Sequence, residues 1–298
     1  MHDEIRFLQT GADALNIDAR HISACYGNMT NHKEDSMEKL MLKIGAVFVS
    51  VLAFSFCAQA AGPEAFTVGE RLTYSLRWEK VPAGEAILEV LPGSAPEGQK
   101  GLNFRVTAKT NGFVDIFYKV RDRIDSFTDP GVERSLLYLK NQREGSYKRD
   151  ITVTFDWYRL LARYHNKVNG YKDPIRIMPG TYDPLSIFYG FRMQELAVGS
   201  VHRLPVTDGV KMIVGKAEVV GREVIEVPAG EFDCFKVIPE LTHLGGVFKK
   251  SPDAKLEIWV TADERKIPVK ISSKVVVGKF HAVLTEADLP QLELADDS

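Results

Sequence analysis

The stretch RLTYSLRWEKVPAGEAILEVL, residues 71–91, decides the fold class. Apolar residues alternate with polar ones in its first half, which places four side chains on one face of an extended chain: Leu72, Tyr74, Leu76 and Trp78. A Val-Pro-Ala-Gly-Glu turn follows at residues 81–85, and the alternation then resumes. A period of two that is broken at a Pro-Gly turn is typical of antiparallel strands with one buried face. The stretch therefore predicts a β-hairpin.

The same alternation continues along most of the chain. Short runs separated by Gly and Pro turns occur at residues 102–108, 116–127, 132–139, 147–155, 160–168, 211–220, 232–240, 256–261, 267–272 and 275–285. So many short strands predict an all-β, mainly antiparallel fold, built as a large curved sheet or as a barrel-like or sandwich arrangement.

One segment departs from the β pattern, TYDPLSIFYGFRMQELAVG at residues 181–199. Asp183 can cap a helix, Pro184 suits its first turn and Gly199 can end it. Apolar side chains surround the predicted helix, near residues 183–196, and a helix that is apolar on all sides is buried. We expect it to cover or plug the concave face of the sheet. On that placement, Phe188→Ala costs about 3 to 5 kcal/mol.

The stretch MEKLMLKIGAVFVSVLAFSFCAQAAG, residues 37–62, indicates export. Lys39 and Lys43 precede an uncharged apolar run, and Ala58-Gln59-Ala60 supplies a cleavage pattern. This order predicts a secretory signal peptide at residues 37–60 that is cleaved after Ala60. The run is shorter than the roughly 20 residues of a membrane-spanning helix, which is the alternative interpretation. Cys57 lacks the flanking residues of a lipid-attachment site.

Four segments follow from this signal. Residues 1–36 are expected to be a start-site artefact or a disordered extension, because an export signal works at the N-terminus. Residues 61–286 are expected to form a single exported β-rich domain, and residues 287–298 a disordered acidic tail. The predicted location is the periplasm or another exported compartment.

Charge and cysteine content narrow the function classes. Removing the five basic and seven acidic residues of positions 1–60 leaves 33 of each sign. This balance argues against a nucleic-acid partner, whose binding domain should be strongly basic. Cys234 is the only cysteine after residue 60, so no internal disulfide can form in the predicted exported domain.

With these stretches in view, the chain resembles a bacterial exported family known as domain of unknown function 3108. The resemblance rests on five stretches in order: GERLTYSLRWEKVPAGEA (69–86), YDPLSIFYGFR (182–192), VPAGEFDCFKV (227–237), LEIWVTADERKIPVKI (256–271) and VGKFHAVL (277–284). It spans about residues 66–286. The resemblance implies an exported β-rich protein and brings no established activity or catalytic residues.

No catalytic motif, metal site or cofactor site is evident from the sequence. A phosphate loop, a nucleophile elbow and a zinc-binding His-Glu-x-x-His motif are all missing. The histidines after residue 60 stand apart without metal-ligand spacing. Cys234, in a predicted strand, is expected to be a small buried apolar residue. We therefore predict no catalytic residue, no metal and no cofactor.

Two groups of residues are candidates for binding. Aromatic side chains on the helix segment and on a central strand are expected to line an apolar trough that holds a ligand: Tyr182, Phe188, Phe191 and Trp259. The loop LTHLGGVFKKSPDAK, residues 241–255, combines apolar and basic residues suited to a membrane surface or a protein partner: Leu244, Val247, Phe248, Lys249 and Lys250. The alternative is a hairpin loop that folds back onto the sheet.

The sequence is compatible with three functions. The first is an exported periplasmic or envelope protein, non-enzymatic, that binds an apolar ligand or lipid in envelope assembly or transport. The second is a structural or protein-interaction module of the envelope. The third is a hydrolase, which would require Arg121, Arg123 and Asp125 to meet a histidine in one pocket, whereas the same charges can simply form cross-strand ion pairs.

Overall fold

A single antiparallel sheet makes up most of the protein. The computed structural model describes residues 65–94, 98–241, 254–275 and 278–290. The strands are β1 Arg71–Trp78, β2 Val81–Ser94, β3 Lys100–Thr110, β4 Arg121–Thr128, β5 Ser135–Glu144, β6 Tyr147–Asp156, β7 Leu161–Asn166, β8 Gly170–Tyr171, β9 Ile175–Arg176, β10 Val201–Thr207, β11 Met212–Val227, β12 Gly230–Pro239, β13 Lys255–Thr261, β14 Pro268–Val275 and β15 Gly278–Asp288. Two short helices accompany them, α1 Gly112–Asp115 and α2 Ser186–Arg192.

The sheet consists of two meanders joined side by side. Strands β10 to β15 follow one another, β15 pairs with β1, and β1 to β8 complete the order, while β9 pairs with β7. Apart from β15–β1, each neighbouring pair along this path is a hairpin of consecutive strands. The all-β antiparallel prediction is therefore confirmed. The sheet is open, with β10 at one edge and β8 at the other.

The segment between β9 and α2 ties the edge strand β10 to the opposite meander. The Tyr182 N–H donates to the Pro205 carbonyl (2.9 Å), and the Thr207 N–H donates to the Tyr182 carbonyl (2.9 Å). One residue earlier, the Thr181 carbonyl accepts from the Ser135 N–H at the start of β5 (3.1 Å). Residues 181–183 thus lie between β5 and β10 and hold the sheet in a curved, barrel-like form.

Helix α2 lies inside the curve. The Tyr189 ring stacks on Phe104 of β3 with centroids 3.7 Å apart, and Phe66 meets the Tyr189 ring edge-on at 5.1 Å. We call the face of the sheet that packs on α2 the inner face. Its largest buried cluster also contains Val90, Tyr138, Val153, Ala162, Tyr164, Ile177 and Leu185. The predicted internal helix is confirmed.

The helix is shorter than expected, and its burial is one-sided. It covers seven residues, Ser186–Arg192, rather than residues 183–196. Tyr189 and Arg192 are buried, whereas Phe188 is 38% exposed. The expectation of burial on all sides is therefore wrong for this helix, because the Phe188 side faces a space that the protein does not fill.

Several sequence-based expectations fall on parts of the chain outside the described residues. These are the signal peptide at 37–60, the extension at 1–36, residues 291–298 of the tail, and the contact residues Leu244, Val247, Phe248, Lys249 and Lys250. Among the residues that the structure does describe, no helix has the length and hydropathy needed to cross a membrane.

Candidate functional site

An apolar cavity of about 340 Å³ separates α2 from one half of the sheet. Ile187, Phe188 and Phe191 of the helix form one wall. The facing wall comes from strands β10 to β13, with Pro184 and Pro268 at its margins. The volume lies at the lower end of the range of small-molecule sites, about 300 to 1,000 Å³.

Strand register brings the apolar residues of the facing wall together. Leu204 pairs with Gly215 and Val206 with Ile213, and farther along the wall Val237 pairs with Ile258. Successive side chains of a strand point to opposite faces, so the alternate residues of each strand share the inner face. The cavity is therefore lined by Leu204, Val206, Ile213, Ala217, Val237, Leu256, Ile258 and Val260.

Gly215 leaves room in the centre of this wall. A Cβ atom there would lie 3.5 Å from the Cδ1 atom of Ile187 and 3.6 Å from Cγ1 of Val206, which are ordinary contacts. A larger side chain at this position would extend into the space between β11 and the helix. The absence of a side chain at Gly215 therefore leaves space between the sheet and the helix, although a Cβ atom would fit there.

Charged side chains surround the apolar walls. Asp208, Lys211, Lys216 and Glu240 all border the cavity, and Lys216 lies 4.0 Å from Glu240. The Asp208 carboxylate accepts hydrogen bonds from the backbone of Val210 (2.9 Å) and Lys211 (3.0 Å), which fixes the β10–β11 turn. A site with apolar walls and a charged border suits an amphiphilic molecule.

His202 contributes an uncharged ring to the cavity. Its imidazole meets the Phe191 ring edge-on at 5.4 Å, and its Nε2 atom is 2.8 Å from the Ser200 hydroxyl. Burial lowers the pKa of His202 below its usual value. The imidazole is therefore neutral at pH 7, in keeping with the apolar lining.

A buried ion pair fixes the C-terminal end of the helix. The Arg192 guanidinium donates to both carboxylate oxygens of Glu70, at 2.6 and 2.9 Å, and both side chains are 3% exposed. It also donates to the carbonyl oxygens of Ala65 (2.7 Å) and Arg265 (2.9 Å). Arg192 thus connects the helix wall of the cavity to the segment before β1 and to the β13–β14 turn.

A buried carboxylate fixes the N-terminal end. The Oδ1 atom of Asp183 accepts from the backbone N–H groups of Leu185 (2.8 Å) and Ser186 (3.0 Å), as expected of a capping residue. Its Oδ2 atom accepts from three hydroxyls, Ser126 (2.5 Å), Ser135 (2.6 Å) and Ser186 (2.9 Å). Two of these five hydrogen bonds attach the start of α2 to β4 and β5, and the other three hold the first turn of the helix.

The predicted ligand-binding residues divide into two groups. Phe188 and Phe191 line the cavity, whereas Tyr182 and Trp259 do not. Tyr182 is buried between β5 and β10, where its hydroxyl donates to the Val132 carbonyl (2.9 Å). Trp259 faces away from the cavity because its neighbours Ile258 and Val260 face into it, and its indole N–H donates to Glu223 (2.7 Å).

Most of the sheet wall was not predictable from the simple alternation of apolar residues. Strand β10, which supplies His202, Leu204 and Val206, was not predicted, since Pro205 interrupts the alternating pattern. Gly215 lies within a predicted strand but carries no side chain that would mark a site. The alternation of apolar residues on both sides of Pro205 is the signal that could have identified this wall.

The charged residues considered for catalysis form separate ion pairs. Asp125 accepts from Arg105 (2.7 Å) and Arg123 (2.7 Å), whereas Arg121 pairs with Asp115 (2.6 Å). Although burial alone would raise the pKa of Asp125, the arginine hydrogen bonds hold it below its usual value. No hydrogen bond or ion pair found in the described part of the chain joins this group to a histidine. Only the Arg105–Asp125 pair joins two strands, because Arg123 and Asp125 both lie on β4 and Asp115 belongs to α1.

Cys234 lies on β12 and is fully buried. Burial raises the pKa of its thiol to about 12, so the thiol is protonated at pH 7.

Over residues 65–94, 98–241, 254–275 and 278–290, no group of three or more His, Cys, Asp or Glu side chains is arranged to hold a metal ion.

The position of Phe188 changes the expected effect of its replacement. Phe188→Ala should lower the free energy of unfolding by about 1 kcal/mol, because the Phe188 side chain is already partly exposed and its removal empties no packed core site. Urea denaturation of the variant and the parent protein measures the difference. A loss above about 3 kcal/mol, the cost of emptying a packed core site, would show instead that Phe188 is buried in solution.

The fold and the cavity define a class of protein, an open barrel-like antiparallel sheet with an internal helix and an apolar site beside it. Within this class, the chain belongs to the family described as protein of unknown function (DUF3108), whose sequence model matches residues 73–285. The resemblance noted from the sequence is confirmed. No curated protein sequence matches the chain.

One solved structure supports the fold. The chain is similar to the crystal structure of a beta-barrel-like protein of domain of unknown function DUF1849 from Brucella abortus, with a TM-score of 0.51 and 10% identity over 76% of this chain and 99% of that chain. A structure from Parabacteroides distasonis, named as a lipoprotein, matches with a TM-score of 0.31 and 12% identity over 75% of this chain and 98% of that chain. At such low identity, the first match supports the barrel-like fold alone.

Proposed function

We propose that this protein is an exported, non-enzymatic component of the bacterial cell envelope that binds an apolar or amphiphilic ligand, such as a lipid acyl chain. The observation that carries the proposal is the apolar cavity of about 340 Å³ between α2 and strands β10 to β13. The predicted signal peptide at residues 37–60 supports export.

The chemistry of the site favours a lipid over a polar metabolite. Aliphatic and aromatic side chains form most of its walls, and the polar side chains among them, Arg192, His202 and Thr207, already hydrogen-bond within the protein. The charged residues Lys211, Lys216, Asp208 and Glu240 lie at the border, where a polar headgroup would remain in contact with water. Both ends of the helix wall are fixed by buried polar contacts, so the site is largely formed before a ligand arrives.

Native mass spectrometry combined with lipid extraction tests the proposal. The protein should be produced from the full chain in its native host and purified from the envelope fraction. We expect a bound species of defined mass that appears in the organic extract, together with an N-terminus at Ala61. A ligand-free mass under conditions that preserve known lipid complexes would contradict ligand binding and favour the alternative, a protein-interaction module.

A substitution that fills the cavity should abolish binding. In Gly215→Leu the new side chain occupies the space between β11 and Ile187, and we expect bound ligand to fall about tenfold or more, as for the loss of a few buried methylene contacts. Val214→Leu is the matched control, since Val214 is the next residue on the same strand and is 44% exposed. Equal ligand loss in both variants, or none in Gly215→Leu, would show that the ligand binds elsewhere. Thermal denaturation verifies that both variants are folded.

A further inference from the structure

Four neighbouring hairpins end at the same rim of the sheet. Their tips are connected by backbone and side-chain hydrogen bonds. Glu79 N–H donates to the Lys279 carbonyl (2.7 Å), Asn111 Nδ2 donates to the Pro82 carbonyl (2.7 Å), and Gly145 N–H donates to the Lys119 carbonyl (2.8 Å). We call this surface the hairpin rim and define it as residues 77–81, 109–121, 144–149 and 279–280. It joins the tips of β14–β15, β1–β2, β3–β4 and β5–β6 into one continuous surface.

The hairpin rim exposes large apolar side chains. Phe113, Ile116 and Phe117, in and just after α1, are 62%, 75% and 74% exposed. The neighbouring tips add further exposed residues: Trp78, Val81, Tyr118, Tyr147 and Phe280. Single exposed apolar residues are common on protein surfaces, whereas a contiguous group of them marks an interaction site.

The most apolar tip, between β3 and β4, is held in place by its own polar contacts. Asn111 Oδ1 accepts from the Val114 N–H (2.9 Å) and caps α1. Asp115 accepts from the Thr110 hydroxyl (2.5 Å) and pairs with Arg121 (2.6 Å). The apolar side chains are therefore presented outward from a preformed turn, so that little conformational entropy is lost on contact.

The hairpin rim also carries an excess of basic side chains, although the whole chain has a formal net charge of −2. Its residues include eight basic side chains and three acidic ones: Arg77, Lys80, Lys109, Lys119, Arg121, Lys148, Arg149 and Lys279 against Glu79, Asp115 and Glu144. Two of the basic side chains are ion-paired, Arg121 with Asp115 and Lys109 with Glu85, which lies just outside the rim. Peripheral proteins bind anionic lipid surfaces by combining basic residues with apolar residues that insert into the bilayer interface.

We propose that the hairpin rim binds the surface of an anionic lipid bilayer, with Phe113, Ile116 and Phe117 entering the interfacial region. Protruding tips fit a bilayer better than a groove-shaped protein partner, because each tip can insert separately into a fluid surface. Trp78, Tyr118 and Tyr147 are residue types that favour the headgroup level. The excess of basic side chains matches the charge of anionic phospholipids. This surface is separate from the cavity and does not depend on ligand binding there.

Vesicle co-sedimentation tests the proposal. Protein produced from the full chain is purified after processing, and all variants are compared at the same N-terminus, verified by mass. We expect binding to vesicles of phosphatidylcholine and phosphatidylglycerol, weaker binding to phosphatidylcholine alone, and a decrease with added salt. In Phe113→Ser/Phe117→Ser, the partition coefficient should fall about tenfold or more, because two large apolar side chains no longer insert.

A matched control uses exposed apolar residues away from the rim. Tyr158, in the β6–β7 turn at the opposite end of the strands, is 97% exposed, and Val224 is exposed on β11. Tyr158→Ser/Val224→Ser should bind vesicles like the parent protein. Equal losses in both double variants, no binding by the parent protein, or equal binding to neutral and anionic vesicles would each overturn the proposal.

Tryptophan fluorescence identifies the surface that makes contact. Trp78 belongs to the hairpin rim, whereas Trp157 is partly buried and Trp259 is buried. Brominated phospholipids should quench the emission of the parent protein, and the quenching should disappear in Trp78→Phe. Quenching that persists in Trp78→Phe would place the contact elsewhere. A concentration-dependent dimer that Phe113→Ser/Phe117→Ser abolishes, in place of vesicle binding, would identify a second copy of the chain as the partner and overturn the lipid proposal.

Discussion

Replacement of Arg192 by methionine should destabilise the protein by about 3 to 5 kcal/mol, since it leaves the Glu70 carboxylate buried without its counter-ion. Methionine retains most of the apolar length of arginine but donates no hydrogen bonds. The carbonyl oxygens of Ala65 and Arg265 would lose their donor at the same time. Urea denaturation, followed by circular dichroism, measures the change in the free energy of unfolding.

Two further variants show whether the buried pair is the cause. Glu70→Gln added to Arg192→Met removes the isolated charge and should restore about 1 kcal/mol or more. Arg222→Met breaks a surface pair with Asp233, in which both side chains are about half exposed, and should barely change the denaturation midpoint. If Arg192→Met is no more harmful than Arg222→Met, the pair does not hold the helix in solution.

The fold was predictable where burial follows a simple alternation. The alternation in β1 identified the β1–β2 hairpin near residues 71–91, but its turn lies at Glu79 and Lys80, and residues 81–85, predicted as the turn, belong to β2. The run at 116–127 was predicted as a strand throughout, yet β4 begins at Arg121. Residues 116–120 belong instead to the β3–β4 tip, which starts with α1 capped by Asn111. The apolar residues Ile116 and Phe117 point outward there, and the alternation of apolar residues alone does not distinguish such a tip from a strand.

The candidate site was predictable only in part. Phe188 and Phe191 stood out because they belong to an apolar segment with helix start and stop signals. In β13 the consecutive residues Ile258, Trp259 and Val260 are all apolar, so the sequence does not show which face points into the cavity. Which of these side chains faces the cavity depends on the bulge between β13 and β14 and on the pairing of β12 with β13. Both involve residues far apart in the sequence, so a local pattern does not reveal them.

The hairpin rim and the border of the cavity lie at the same end of the strands. Lys255 of β13 pairs with Lys274 of β14, and Lys274 pairs with Lys279 next to the β1–β2 tip. Leu256, which lines the cavity, follows Lys255 directly. Leu256 and Glu240 thus line the cavity at the end of the sheet where the hairpin rim lies. A bilayer bound at the rim would lie at this end, so membrane binding by the rim and ligand binding in the cavity are geometrically compatible.

Replacement of Asp183 by alanine should cost about 3 kcal/mol or more, because it removes the acceptor of five buried hydrogen bonds. The N–H groups of Leu185 and Ser186 would lose their cap, and the Ser126 hydroxyl would lose its carboxylate partner. The hydroxyls of Ser135 and Ser186 lie 2.7 Å apart and can still bond to each other, which limits the loss. Equilibrium denaturation gives the size of the effect.

Asp183→Asn separates the cap from the hydroxyl cluster. The asparagine oxygen can still accept from Leu185 and Ser186, whereas its amide group presents donors where Oδ2 accepted from three serines. We therefore expect a loss smaller than that of Asp183→Ala but clearly measurable. Equal stability of Asp183→Asn and the parent protein would mean that the hydroxyls reorient freely and that only the helix cap depends on Asp183. A negligible effect of Asp183→Ala would contradict both roles and remove the basis for a fixed helix wall beside the cavity.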